Sequence, residues 1–157
     1  MANKMRWRYG DTNPVMLGVA ADTVIEIGDM VLQDAGMAQP ASANADAGSE
    51  AGNQEALHDD FVGIAMQHSP AGSTDPVRVA TSGVFEMDCA AATFVVGDLI
   101  GADEASSGTA LENQVVAKVA TPNLAIGACV KHVNPSATRV LVEVMSTIVR
   151  GGAQAAA

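Results

Sequence analysis

Aromatic residues are scarce in this 157-residue sequence: they make up 3% of the chain, whereas hydrophobic residues as a whole make up 48%. The core must therefore consist mainly of Ala, Val, Ile, Leu and Met. Such side chains suit closely spaced strands better than a deep ligand pocket lined with aromatic rings. The length is enough for one ordinary domain or for two small lobes that share a core.

Basic residues are also few, with 8 Lys and Arg against 18 Asp and Glu and a formal net charge of −10. Nucleic acids and anionic membranes both attract cationic surfaces, so neither is expected to be a partner. No apolar run approaches the roughly 18 residues of a membrane span, and the first residues lack the apolar segment of a secretory signal. The chain is expected to be made in the cytoplasm.

Motifs for catalysis and cofactor binding are missing as well. The sequence has no G-x-S-x-G elbow, no P-loop and no dinucleotide-binding glycine pattern. Cys89 and Cys129 do not form a CxxC pair, so we interpret them as reduced, buried small side chains rather than metal ligands. These absences predict a protein that is not an enzyme and has no cofactor or metal.

Short segments of the first half recur in the second half. Residues 27–31 (Ile-Gly-Asp-Met-Val) return as residues 96–100 (Val-Gly-Asp-Leu-Ile), and residues 61–65 return as residues 125–129. The spacing between the two segments is shorter in the second half, which lacks part of a long Ala/Gly/Ser/Asn stretch. A duplicated fold tolerates such a length change in a loop. The alternative is that unrelated strands reuse the same Gly-Asp turn.

Period-two alternation of β-branched residues around residues 77–81, 115–119 and 140–145 indicates half-buried strands. Turn-forming residues separate these strands, and no long amphipathic helix stands out, so we predict an all-β barrel or sandwich. A short helix remains an option at residues 54–58 or 136–138. The predicted organisation is an extended N-terminal arm (1–14), a β domain of two similar halves (15–150, divided near 83/84) with a flexible acidic loop (37–60), and a disordered tail (151–157).

Each half contains one Gly-Asp turn, formed by Gly28 and Asp29 and by Gly97 and Asp98. Gly permits a positive φ, and Asp accepts hydrogen bonds from nearby backbone N–H groups, so these turns are predicted to be structural. The functional alternative is a metal or carboxylate site. His68 and His132 occupy corresponding places in the two halves and would be its other members, but the simpler interpretation is that they end strands near turns.

The N-terminal arm is the best candidate for partner binding. It holds the only Trp and the only Tyr of the chain among three of the eight basic residues. Trp, Tyr and Arg concentrate binding energy at protein interfaces, so the arm is predicted to reach onto a neighbouring subunit. The alternative is a strand that folds back and buries Trp7 in its own barrel. The candidate residues are Lys4, Arg6, Trp7, Arg8 and Tyr9.

Five apolar segments, taken in order, resemble the capsid cement (head decoration) proteins of tailed bacteriophages. They are residues 15–21, 24–31, 61–65, 77–85 and 96–100, and the similarity extends over about residues 15–145. The loop at 37–60 and the alanine-rich tail have no place on the family pattern.

The resemblance implies a small β-barrel or β-tulip that binds the outer surface of a phage head and stabilises contacts between major capsid protein subunits. It also implies a homo-oligomer, a trimer or a dimer, and it supplies no catalytic residues to carry over. Two other functions stay open from the residues alone. One is a tail or fibre component of the virion, and the other is a small metal-binding enzyme domain.

Overall fold

Eleven β-strands are the main secondary structure in the computed structural model, which describes residues 6–153. Only two α-helices accompany them in this part of the chain, so the all-β prediction is confirmed. The strands are β1 (Trp7–Tyr9), β2 (Val15–Leu17), β3 (Met30–Asp34), β4 (Met37–Pro40), β5 (Phe61–Ala65), β6 (Val77–Ala80), β7 (Ser82–Phe94), β8 (Leu99–Glu104), β9 (Leu111–Lys118), β10 (Gly127–Cys129) and β11 (Val133–Met145). The helices are α1 (Glu50–Asp60) and α2 (Thr147–Arg150).

The second half of the chain forms a closed five-stranded barrel. Its strands follow the order β7-β11-β10-β8-β9, and β9 returns to pair with β7. The closing contact is parallel and joins Asp88 to Val115 and Cys89 to Val116, whereas the other pairs in the ring are antiparallel. Strand β1 pairs with β7 and lies at the edge of this sheet.

The first half repeats this topology. Its strand order, β2-β6-β5-β3-β4, matches that of the second half position by position. A parallel bridge between Gly18 and Met37 brings the first strand to the last, and the Ala38 N–H donates to the Gly18 carbonyl over 2.8 Å. The prediction of a small barrel fold built from two similar halves is therefore confirmed.

The core consists of the aliphatic side chains that the alternation pattern placed inward, together with three buried phenylalanines. In β6, Val77 and Val79 are buried while Arg78 is exposed. One apolar cluster fills the first barrel, and a larger one fills the second barrel and the surface between the two. All five residues of β5 are buried because one face of this strand lines its own barrel and the other face packs against the second half. The phenylalanines, all in the larger cluster, are Phe61, Phe85 and Phe94.

The prediction of a flexible loop at residues 37–60 is wrong. This segment contains β4, a short 3₁₀ turn (Ala41–Ala43) and α1, which holds the suggested short helix at 54–58. Ser49 caps α1 by accepting a hydrogen bond from the Gly52 N–H over 3.0 Å, and Leu57 is completely buried. Buried amides also fix the helix to β8, because Gln54 Nε2 donates to the Ala102 carbonyl over 2.8 Å and Asn53 Nδ2 donates to Glu104 over 3.2 Å.

Two further expectations about local structure are wrong. Residues 136–138, where a short helix was an option, lie within strand β11. Residues 151–153, assigned to a disordered tail, continue from α2 and pack on the second half. Ala153 is 6% exposed and contacts a small apolar cluster with Val119 and Ala125. The rest of the predicted tail lies outside the described residues.

The two Gly-Asp turns have the same hydrogen bonds. Asp29 Oδ2 accepts the backbone N–H of Glu26 over 3.0 Å, and Asp98 Oδ2 accepts that of Val95 over 2.9 Å. The glycine N–H of each turn donates over 2.9 Å to a backbone carbonyl in the corresponding strand of its own half. Gly28 donates to Ala65 of β5, and Gly97 donates to Cys129 of β10. Each aspartate therefore closes a turn, which is the arrangement expected of a structural residue.

The surroundings of the two aspartates differ. Asp29 is 2% exposed and accepts a hydrogen bond over 2.8 Å from Gln114 Nε2, so it joins the first barrel to β9 of the second. Burial raises the pKa of Asp29, although the hydrogen bonds from Glu26 and Gln114 oppose this shift. Asp98 lies 3.0 Å from Lys118 Nζ. Burial alone would raise the pKa of Asp98, but the Val95 N–H and the Lys118 ammonium together lower it.

Strand packing is closest at two corresponding glycines, Gly63 in β5 and Gly127 in β10. A Cβ at Gly63 would overlap the backbone carbonyl of Ala80, and a Cβ at Gly127 would overlap that of Glu143. The obstacle in both places is backbone in a neighbouring strand, which cannot move without breaking the barrel. No other residue type fits at these two positions.

Gly63→Ala and Gly127→Ala are each expected to destabilise the fold by more than about 4 kcal/mol, or to prevent folding, because the added methyl group must displace a strand. The matched control is Gly36→Ala. Gly36 has a positive φ, of 82°, but a Cβ there would meet nothing within 4 Å. Gly36→Ala should lower the free energy of unfolding only through backbone strain, by about 1–2 kcal/mol. Urea denaturation of the three variants tests this order, and equal losses at the three positions would contradict it.

Asp29→Asn and Asp98→Asn are expected to respond to pH in opposite directions. Above the ordinary carboxyl pKa of about 3.9, the raised pKa of Asp29 makes its buried charge destabilising, so the stability of Asp29→Asn relative to the native chain should improve as pH rises. The lowered pKa of Asp98 adds stability above about 3.9 that is lost as pH falls through its folded pKa. The stability of Asp98→Asn relative to the native chain should therefore fall as pH rises.

The measurement is the free energy of unfolding of the three proteins from acidic to neutral pH. Each variant serves as the control for the other, because both remove a carboxylate from the same position of the repeat. If the two differences from the native chain changed with pH in the same direction, the assigned environments of Asp29 and Asp98 would be wrong.

Candidate functional site

The described part of the predicted arm forms strand β1 on the outside of the second barrel. Trp7 pairs with Phe85 and Tyr9 with Val84, and the Glu86 N–H donates to the Arg6 carbonyl over 2.9 Å. The backbone therefore folds back onto its own barrel. Lys4, the remaining candidate of the arm, lies outside the described residues.

The chain after β1 is held just as firmly. The Thr81 N–H donates to the Thr12 carbonyl over 2.9 Å, and Ser82 Oγ donates to the Asp11 carbonyl over 2.7 Å. Asn13 contributes twice, since its carbonyl accepts from Thr81 Oγ1 over 2.7 Å and its side-chain amide donates to Ser82 Oγ over 2.9 Å. These bonds fix residues 11–13 at the junction of β6 and β7, so β1 is attached at both ends.

The aromatic side chains of β1 stay on the surface. Trp7 is 47% exposed and Tyr9 is 53% exposed. The indole N–H of Trp7 donates to the Gly10 carbonyl over 2.9 Å, and a Cβ on Gly83 would lie 3.5 Å from the indole ring. The expectation that folding back would bury Trp7 is therefore wrong. The strand instead presents two half-exposed aromatic rings in a fixed position.

Arg8 of β1 and Arg6, just before it, pair with carboxylates of β7. Arg6 Nη1 lies 2.8 Å from Asp88 Oδ1, and Arg8 Nη2 lies 3.3 Å from Glu86 Oε2. Arg139 of β11 contacts both carboxylates, at 3.3 Å from Glu86 and 3.5 Å from Asp88. The five charges form one cluster across β1, β7 and β11. We call these residues, Arg6, Arg8, Glu86, Asp88 and Arg139, the ion-pair cluster.

A groove of about 520 Å³ opens beside the ion-pair cluster. Residues 131–135, which lead into β11, form one wall, and Arg8 and Arg139 contribute to the others. Ala137 and Leu141 of β11 add apolar surface. Lys131 is exposed at this groove, so three cations line it in a chain whose net charge is −10.

Sequence reasoning missed Lys131 and Arg139. Arg139 lies more than 120 positions from the arm, and only the fold brings the two together. One signal was present: Val140, Val142 and Val144 are buried in β11, so the alternate positions of the strand, which begin with Arg139, had to face outward. The pattern gave the direction of the side chain but not its neighbours.

The histidines are not brought together at a metal centre. His68 lies at a shallow depression beside residues 69–77, whereas His132 lines the groove next to the ion-pair cluster. Among residues 6–153, no three His, Cys, Asp or Glu side chains are grouped closely enough to hold a metal ion. His58 Nδ1 is 2.7 Å from the Ala125 carbonyl, a contact that attaches α1 to the second half.

The two cysteines are free and buried, as predicted. Burial raises the pKa of both thiols, so they stay protonated at neutral pH. Cys129 Sγ donates to the Lys131 carbonyl over 3.1 Å and helps to hold the wall of the groove. In the described part of the chain, no helix has the length and apolar character needed to cross a membrane.

Among the comparisons with known proteins, a family model matches this chain. Neither a curated protein nor a solved structure matches this chain. The sequence model described as phage cement protein matches residues 10–144, which run from the end of β1 through both barrels into β11. A match over most of the chain, following the same two barrels that the structure shows, establishes the family. This chain belongs to the phage cement protein family.

Proposed function

We propose that this protein is a structural capsid cement that binds the outer surface of a phage head and stabilises contacts between major capsid protein subunits. The observation that carries the proposal is the family match over residues 10–144, which includes both barrels. Family membership supports a role at the phage capsid and a structural rather than an enzymatic function. The surface that binds and the way it stabilises are argued from the fold.

The two barrels suit a protein that must resist deformation. Each sheet returns on itself, and the larger apolar cluster continues from one half into the other. Close-packed interiors transmit strain because they have few voids to collapse into. A brace of this kind, bound across neighbouring capsid subunits, would oppose their separation.

The exposed rings of Trp7 and Tyr9 are the proposed contact with the capsid. Trp and Tyr are enriched among the residues that dominate interface energies. Strand β1 holds both rings in place through its pairing with β7 and through the ion-pair cluster. A surface already ordered before binding loses less conformational entropy when it binds. The argument uses the alternative that the sequence left open, in which the arm folds back as a strand on its own barrel.

The proposal also includes a chain that stays soluble before it binds the capsid and that self-associates on it. A net charge of −10 keeps copies of the chain apart at high concentration in the host cytoplasm, where it would be made. On the capsid, a homo-oligomer of three or two copies would let one brace contact several shell subunits at once, and multiple contacts raise the overall affinity.

The direct test adds the purified protein to capsid shells of its own phage that were assembled without it. We expect it to bind the outer surface, visible by electron microscopy, and to raise the temperature at which the shells come apart. Density on tails or fibres instead of the head would overturn the proposal, and so would bound shells that disassemble at an unchanged temperature.

Trp7→Ala should weaken binding to these shells by about 30-fold, the effect of losing roughly 2 kcal/mol at a central interface residue. The fold should tolerate the change because the ring is already half exposed. The matched control is Met16→Ala on β2, which removes a side chain of similar exposure, 55%, from the first barrel. If both variants bind like the native chain while the native chain binds well, Trp7 is not part of the interface.

A further inference from the structure

Cations are concentrated at one place on this acidic protein. Residues 6–153 contain seven Lys and Arg side chains, and four of them lie in the ion-pair cluster or at the groove beside it. Two carboxylates, Glu86 and Asp88, share this location. The location is therefore cationic on balance, although the chain as a whole has a net charge of −10.

These cations have hydrogen-bond donors to spare. A guanidinium group has five N–H donors, and an ammonium group has three. The side chains of Arg8 and Arg139 are 45% and 56% exposed even though both pair with Glu86. Lys131 is exposed and forms no ion pair within the described part of the chain. The cluster thus fixes the arginines but leaves part of each free to bind an incoming anion.

The remaining lining of the groove indicates what kind of anion fits. Val133, Ala137 and Leu141 add apolar surface, and the groove runs along the outward face of β11 beside residues 131–135. An extended peptide can place carboxylates against the cations and small apolar side chains against this surface. Carboxylates also match the planar donor pairs of arginine.

We infer that this groove binds an acidic, extended peptide segment of the major capsid protein, with carboxylates paired to Arg8, Lys131 and Arg139. This inference rests on the proposed function, because it names the capsid segment that the cement contacts. The choice of an acidic peptide rests on the three cations and the apolar side chains that line the groove.

Phosphate of a nucleic acid is the competing anion, and the structure favours the peptide. A nucleic acid carries charge along its whole length, so the acidic surface around the groove would repel the parts that extend beyond it. A short acidic segment places its charge only where the cations are. Binding of DNA at the groove is included below as an outcome that would overturn the inference.

The first experiment treats protein-loaded shells with a carbodiimide, which joins an amine to a carboxylate in direct contact, and maps the products by mass spectrometry. We expect Lys131 to be linked to an Asp or Glu of the major capsid protein. Lys118 is the internal control, since its ammonium lies 3.0 Å from Asp98 and should be linked within the chain. Linkage of Lys118 without any linkage of Lys131 to the capsid would overturn the inference.

The second experiment measures shell binding of variants at Lys131, a side chain that the fold does not use. Lys131→Glu should bind at least 10-fold more weakly, while Lys131→Arg, which keeps the charge, should bind like the native chain. Arg78→Glu is the control, because it reverses another exposed cation, on β6 of the first barrel and outside the lining of the groove. Melting temperatures of the three variants check that each remains folded.

The outcomes separate this inference from the proposed function. If the native chain does not bind shells, both fail. If it binds and Lys131→Glu binds equally well, only the groove assignment fails. Equal losses of binding for Lys131→Glu and Arg78→Glu would show that the effect comes from net charge, and the groove assignment would then fail as well. A short duplex DNA that shifts the amide resonances of Lys131 and Arg139, where a glutamate-rich peptide does not, would assign the groove to phosphate.

Discussion

The fold depends on one constraint, the return of the last strand in each sheet order, β4 or β9, to the first strand, β2 or β7. In the second half this parallel contact joins β7 and β9, and in the first half a single bridge between Gly18 and Met37 has the same place. Both contacts draw a sheet of five short strands into a ring. Within these rings, Gly63 and Gly127 lie so close to the backbone of a neighbouring strand that neither has room for a side chain. The narrow interior explains why a core of Val, Ile, Ala and three Phe suffices.

The repeat gives the molecule two such rings, and residues at equivalent positions have different surroundings because of the way the rings are joined. Asp29 is buried against Gln114 of the second barrel, whereas Asp98, at the same turn, faces Lys118 and solvent. The same backbone hydrogen bonds therefore coexist with opposite shifts of the carboxyl pKa. Two copies of one motif differ in chemistry because only one of them lies at the contact between the halves.

The sequence predicted the features that depend on local pattern. Alternation located β6 and β11, and the Gly-Asp turns revealed the repeat. Around α1 it gave only the option of a short helix at 54–58 within a predicted flexible loop. The helix is fixed by the polar side chains Asn53 and Gln54 and by one buried leucine, and such a composition is typical of a surface loop. The sequence predicted the residues of β1 as a candidate site but not their partners. The pairing of β7 with β11 is what brings Arg139 to Glu86 and Asp88, and the sequence pattern does not show this pairing.

Helix α1 has a consequence beyond the packing of its own residues. It is inserted in the first copy alone, and its amides and His58 contact the second copy. Two halves of the same strand order would otherwise offer a partner two closely similar faces. The insertion, together with β1 on the second barrel only, gives the molecule a distinct front and back. A partner therefore meets one distinct face on this molecule rather than two equivalent ones.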